Sequence, residues 1–221
     1  MKIAHKKIGE RLTQWGRLNY VRYSWRELDD PWAALIAEVL LQRTNAKHVD
    51  RYFEDVYKLF PTPDALINAS QHDLGKIEAL FGLDRRLQTL MQLAEYIDTQ
   101  DIYPTDYETL ISLYGIGHYT AAAYLSLHMN IRAVLVDSNV ARCLSRMTGK
   151  EKPKDVRRCQ WLWDLADKLT PKRHFKEYNY AVLDFSMTIC KPRNPACETC
   201  PLNQMCRYPK RGNGRKKVSL E

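Results

Sequence analysis

Residues 110–146, LISLYGIGHYTAAAYLSLHMNIRAVLVDSNVARCLSR, decide the fold. They read as the end of one helix, a tight Gly-x-Gly turn at Gly115, Ile116 and Gly117, an alanine-rich second helix, a short apolar connection, and a third helix opened by Asp137. Two glycines one residue apart let the backbone turn sharply and come close to an outside partner, because neither carries a Cβ. Behind the turn, the first N–H groups of the second helix have no intrahelical partner and point outward with the positive end of the helix dipole. That arrangement suits an anion, and on a basic chain the anion is a nucleic-acid phosphate.

The whole chain is consistent with that reading. Its 221 residues allow one large domain or two small ones sharing a cleft, and 45% hydrophobic residues can fill a core. Lysine and arginine number 34 against 26 acidic residues, a formal charge of +8, which favours a polyanionic partner but equally describes a soluble basic protein. No apolar run approaches the roughly 20 residues that cross a bilayer, so no membrane association is expected. The opening MKIAHKKIGERL lacks the apolar core of a secretion signal, which points to the cytoplasm. In that compartment clustered cysteines bind metal more often than they pair as disulfides.

Taken in order, the chain predicts helices throughout. Residues 8–23 place Ile8, Leu12, Trp15 and Leu18 near helical spacing. Asp30 before Pro31 is a strong start signal for a helix running through WAALIAEVLLQRTNAKHV, with Leu35, Ile36, Val39 and Leu40 on its buried side. On that helix Glu38 and Gln42, four apart, stand one above the other beside the apolar stripe. Thr62 before Pro63, Ser70 with Asp73, and Thr105 with Glu108 announce further starts. FGLDRR (81–86) reads as a break before LQTLMQLAEYI, and WLWDLADKLTP and YNYAVLDFSMTIC as two late helices. No segment alternates apolar and polar residues long enough for a sheet, so the fold class is all-α. The stretch 207–217 is basic and reads as a frayed end.

Near the end, Cys190, Cys197, Cys200 and Cys206 fall within seventeen residues as Cys-x6-Cys-x2-Cys-x5-Cys, among Pro192, Pro195 and Pro201, which keep the loop out of regular helix. Four thiolates so placed can ligate tetrahedral zinc or an iron–sulfur cluster, and ligand type alone does not choose. Cys143 and Cys159 stand apart, by default as small buried hydrophobes.

The hairpin, Asp137 at its distance and the cysteine loop together resemble the helix-hairpin-helix (HhH-GPD) DNA glycosylases, the superfamily of endonuclease III, the adenine glycosylase MutY and the mismatch glycosylase Mig. The likeness spans nearly the whole chain. Tyr114 departs from it, standing where the family usually has proline. The resemblance implies two helical domains flanking a DNA-binding cleft, one over 22–132 with six helices and the hairpin, the other from 1–21 plus 133–221. It also implies a four-iron four-sulfur cluster on the loop 190–206, a monomer, and double-stranded DNA with a mismatched or damaged base as partner.

Site roles follow from the same resemblance. Asp137 would stabilise the cationic sugar and orient water, although by itself it reads as an ordinary helix cap. Glu38 would protonate or hydrogen-bond the leaving base. Tyr119 holds the position where bifunctional members carry a lysine; a phenol cannot form a Schiff base, so the enzyme is expected to be monofunctional. Gln42 resembles the residue that fills the gap of a flipped nucleotide, and Leu83 the wedge inserted into the duplex. Gly115, Gly117, Lys191 and Arg193 would meet the DNA backbone.

Two local stretches bear on the base. EVLLQRTNAKHV and GLDRR are similar to Mig, where MutY has Gln-Gln-Thr-Gln-Val and Gly-Leu-Gly-Tyr-Tyr runs. MutY usually continues into a further domain, whereas this chain ends soon after the cysteine loop. Removal of thymine or uracil opposite guanine is therefore the expectation. The alternatives are a MutY-like adenine glycosylase acting opposite guanine or 8-oxoguanine, and a non-catalytic iron–sulfur DNA-binding protein, against which the presence of both Glu38 and Asp137 argues.

Overall fold

The computed structural model describes residues 2–81 and 84–208. Leu83 and the basic stretch from 209 onward lie outside the described residues. Among those described there are eleven α-helices and no strand: α1 (Lys2–Asn19), α2 (Pro31–Leu40), α3 (Ala46–Leu59), α4 (Pro63–Ile67), α5 (Gln71–Phe81), α6 (Asp84–Gln100), α7 (Tyr107–Ser112), α8 (His118–Ala123), α9 (Ser138–Thr148), α10 (Gln160–Leu169) and α11 (Phe175–Thr188). None is long and apolar enough to cross a membrane. The chain divides into two compact units. One, the hairpin unit, comprises Val21–Leu135 and Lys172–Asn179; the other, the cysteine unit, comprises Met1–Tyr20, Val136–Pro171 and Tyr180–Glu221.

The hairpin unit is built around α2. Asp30 accepts the Trp32 N–H at 2.8 Å and Pro31 occupies the first helical position, where its missing N–H costs nothing. Tyr57 donates its hydroxyl to the second Asp30 oxygen, and that hydrogen bond raises the Tyr57 phenol to about 12. Every residue of α2 after Pro31 is buried, and the Trp32 indole donates to the Phe60 carbonyl at 2.9 Å. A helix apolar on all sides belongs in the middle of a core. Leu66, Leu90, Leu93, Leu110 and Ile116 complete that core from α4, α6, α7 and the hairpin.

Several local expectations need correction. The helix predicted across 32–49 is two helices, because α2 stops at Leu40 and Arg43 turns into the left-handed region at φ 58°. Asn45 then starts α3, its side chain accepting the Lys47 N–H at 2.9 Å; an Asn that caps a new helix outcompetes continuation of the old one. Gln42 therefore sits in the turn after α2 and not one helical turn above Glu38. The cap of α7 is Asp106, which accepts the Thr109 N–H at 2.8 Å, not Thr105. The first helix spans 2–19 and not 8–23. Cys159 is only half-buried, at the start of α10, where a hydrophobe was expected.

In the cysteine unit α1 packs on α10 and runs close to α11. A Cβ on Gly16 would lie 2.3 Å from that of Ala181, so glycine is what permits the approach. Trp15 meets Phe185 edge to face at 5.6 Å. Helix α9 buries Val140, Ala141, Leu144 and Met147 on one side.

Candidate functional site

The hairpin joins α7 to α8. The N–H groups of Leu113 and Ile116 donate to the carbonyls of Leu110 and Leu113, both at 3.2 Å, closing two tight turns. Gly115 has φ +74°, and a Cβ there would lie 1.9 Å from the Thr89 hydroxyl of α6. Ile116 points into the core, 6% exposed, while Gly117 is exposed with open space around it. The Gln42 amide donates to the Gly115 carbonyl at 3.0 Å and to the Thr120 hydroxyl at 3.3 Å, lacing the α2–α3 turn to the hairpin. Tyr119 is half-buried in the first turn of α8. Tyr107 and His118 are hydrogen-bonded at 2.7 Å on the exposed side.

Glu38 is the one ionisable residue of α2 and is 4% exposed. Its Oε1 lies 3.1 Å from the Nε2 of His128, whose side chain is 6% exposed. Taking a carboxylate out of water is costly unless it is paired, and this imidazole is the partner the fold supplies. His128 arrives by an irregularity: α8 continues into a π turn over Tyr124–His128, in which the Met129 N–H donates to the Tyr124 carbonyl at 3.1 Å.

Asp137 opens α9 with extended backbone, φ −95° and ψ −176°. One oxygen accepts the N–H groups of Asn139 and Val140 at 2.9 and 2.7 Å, and the other accepts the Asn139 amide at 2.9 Å. Arg142, one turn on, donates to the Asn139 Oδ1 at 2.7 Å, to the Ser186 carbonyl at 2.7 Å and to the Cys190 carbonyl at 3.0 Å. A continuous set of hydrogen bonds thus runs from the Asp137 carboxylate to the first cysteine of the loop.

The four loop cysteines form no disulfide and line one cavity with Cys143, Phe185, Ile189, Leu202 and Tyr208. Among the described residues no three Cys, His, Asp or Glu side chains converge closely enough to hold a single metal ion. One tetrahedral zinc needs four sulfurs about 2.3 Å from one point. Thiols spaced around a cavity instead fit a multi-iron cluster ligated at its corners. Arg146 frames this cavity, donating to the carbonyls of Lys191 and Pro192 at 2.6 and 2.8 Å, with its guanidinium 3.7 Å from the Cys190 sulfur. The Cys143 thiol donates to Cys190, and that hydrogen bond, with Arg146 beside it, lowers the Cys190 thiol against the opposing effect of burial. Burial raises Cys200 to about 11 and also raises Cys206.

Residues 36–166 match the HhH-GPD superfamily of base excision DNA repair proteins, and residues 190–206 match the iron–sulfur binding domain of endonuclease III. The chain belongs to the HhH-GPD superfamily. Within it, the chain is 34% identical over 208 residues to a thymine-DNA glycosylase of Aeropyrum pernix, covering 91% of this chain and 93% of that one. A thymine/uracil-DNA glycosylase of Methanothermobacter thermautotrophicus is 31% identical over 189 residues, 84% and 86% of the two chains. The solved structure of a thermostable thymine-DNA glycosylase superposes with a TM-score of 0.85 at 28% identity, covering 92% of this chain and 95% of that one.

The iron–sulfur domain match over 190–206 shows the four-iron four-sulfur cofactor, and that stretch holds Cys190, Cys197, Cys200 and Cys206, the four cysteines that line the cavity. Glu38, Gln42, Tyr119, Gly115 and Gly117 lie in the hairpin unit, and Asp137, Lys191 and Arg193 in the cysteine unit, the last two exposed. Sequence reasoning missed His128, Arg142 and Arg146. The arginines of α9 carried a usable signal, since positions four apart share one helix face toward the loop. His128 carried none, because no residue pattern announces the π turn that delivers it.

Proposed function

We propose that this chain is a monofunctional DNA glycosylase that hydrolyses the N-glycosidic bond of thymine or uracil mispaired with guanine and leaves an abasic site. As the bond between C1′ and the base breaks, its electron pair leaves with the base and positive charge develops on the sugar. The Asp137 carboxylate, held by three N–H donors, faces that charge and orients the water whose oxygen joins C1′. Glu38 delivers a proton to the departing base, and the proton released by the attacking water returns to solvent. Tyr119 lines the site and offers no amine, so no Schiff base forms and the strand stays intact.

The cluster supplies structure: it fastens a loop whose exposed Lys191 and Arg193 meet phosphates. Gly115 and Gly117 bring the hairpin backbone to DNA phosphates. Gln42 and Leu83 act at the vacated position, where a mispaired base is cheaper to flip than a paired one. The enzyme works as a monomer on double-stranded DNA in the cytoplasm.

One observation carries the reading: the carboxylate of Asp137 is oriented through both oxygens at the start of α9, tighter than a cap requires. The choice of base is supported by similarity to glycosylases named for thymine and uracil across most of the chain. A single-turnover assay on duplexes with T or U opposite G, and A opposite G or 8-oxoguanine, tests it. Strand cleavage at T or U that requires alkali is the expected result. Cleavage at A alone overturns the base, cleavage without alkali overturns the monofunctional assignment, and tight binding with no cleavage overturns catalysis.

A further inference from the structure

We propose that His128 is a positioning residue for catalysis, which holds Glu38 through Oε1 so that the second carboxyl oxygen is aimed at the departing base. The inference rests on the general-acid reading of Glu38 given above and adds a residue to it. Glu38 emerges from a helix otherwise wholly apolar, and a lone carboxyl there would swing to whichever neighbour solvated it best. The imidazole removes that freedom: Nε2 lies 3.1 Å from Oε1, and both side chains are nearly sealed from water, at 6% and 4% exposure. In such surroundings a hydrogen bond is stronger and more directional than at the surface.

The backbone around His128 shows that the contact is built and not incidental. The Met129 N–H reaches back five residues to Tyr124, and the Ile131 N–H reaches back six to Leu125 at 2.9 Å. Asn130 then reverses the chain in the left-handed region at φ 54°. A π turn rotates everything after it relative to a regular helix and is less stable than one. Here it turns a polar ring inward while Leu125 and Leu127, from the same turn, stay in the core. In this proposal Nε2 is the donor to Oε1, and His128 acts on the reaction only through the Glu38 carboxyl. A proton that must reach the leaving base at the moment of bond cleavage gains from a donor already aimed.

Two volume-conserving variants test this on the cluster-containing enzyme. His128→Gln keeps an N–H donor, whereas His128→Met fills the space without one. Single-turnover rates with enzyme in saturating excess separate chemistry from duplex affinity, which is measured independently. Glu38→Gln should lower the chemical rate by roughly 10²-fold or more, the usual scale for a general acid. His128→Met should lower it about ten- to a hundredfold at unchanged Kd, His128→Gln should stay within about fivefold of wild type, and Glu38→Gln/His128→Met should be no slower than Glu38→Gln alone. An unchanged rate in His128→Met, equal losses in folded His128→Gln and His128→Met, or full additivity in the double variant overturns the inference while leaving Glu38 in place. An unchanged rate in Glu38→Gln overturns the reading of Glu38 itself. If His128→Met does not fold, folded His128→Gln decides: a loss beyond about fivefold with the donor kept overturns the inference, and a smaller loss that disappears in the Glu38→Gln background supports it.

Discussion

Asp137 caps α9, and in the proposed mechanism the same carboxylate also faces the reacting sugar. Its carboxylate accepts two backbone N–H groups of α9, which any good cap would do, and a third donor from Asn139. Asn keeps an oxygen for the two backbone N–H groups but sets an NH2 against the Asn139 amide, so Asp137→Asn should lower the melting temperature by only about 2–4 °C while base release falls roughly 10²- to 10⁴-fold. Retained release in a folded Asp137→Asn protein would leave only the cap. Tyr119 is half-buried in the first turn of α8, and the proposed function gives it no part as a nucleophile. Wild type should give no covalent product with borohydride on a G·T duplex, and Tyr119→Lys should give a detectable one. Efficient trapping by the wild type would identify another amine as nucleophile. The roles expected of Asp137 and Tyr119 came from the family resemblance, through their offsets from the hairpin glycines. The partner of Glu38 was not legible in the sequence, since its approach depends on a backbone irregularity that side-chain patterns do not encode.

Helix starts were the most legible elements, and breaks the least. Asp30-Pro31 and Thr62-Pro63 each carry a side-chain acceptor and a residue preset for the first turn, and both starts stand where that chemistry puts them. The break at 41–45 was hidden because Leu40, Leu41 and Val49 keep a helical rhythm across it, and only the cap of Asn45 reveals the new start. At Thr105 and Asp106 two adjacent residues can cap, and it is the Asp106 carboxylate that accepts the Thr109 N–H. The hairpin glycines looked equivalent in sequence but are not in structure. Gly115 needs φ +74° and abuts Thr89, whereas Gly117 is extended in open space. Gly115→Ala should therefore cost about 2–4 kcal/mol, combining left-handed strain with the clash. Gly117→Ala should cost less than about 1 kcal/mol and show itself in DNA affinity instead. Urea unfolding of both variants checks the pair, and equal losses would contradict the geometry.

Over the whole chain, the cysteine loop is tied to distant sequence. Arg11 of α1 donates to the Pro201 carbonyl at 3.3 Å, the Arg207 N–H donates to Met147 at 3.1 Å, and Arg142 and Arg146 of α9 hold the carbonyls of 190–192. The cysteine unit is thus assembled from three separated segments, and contacts so far apart in sequence carry a large closure entropy. A cluster that cross-links the loop offsets part of that entropy. The composition pointed to none of this, since +8 and 45% hydrophobic residues describe many proteins. The cysteine spacing did, because it names four ligands at once. Anaerobic removal of iron should therefore lower the melting temperature by about 6–12 °C, the shift expected for losing roughly 3 kcal/mol in a chain of this size. The disturbance should be felt at Trp15, whose ring rests on Phe185 at the cavity wall. Trp25 and Trp32, in the hairpin unit, should change least, so comparing the fluorescence of Trp15→Phe with that of wild type isolates the response. An iron-free protein with an unchanged melt and an unchanged Trp15 signal would show that the loop holds its shape through the arginine contacts alone.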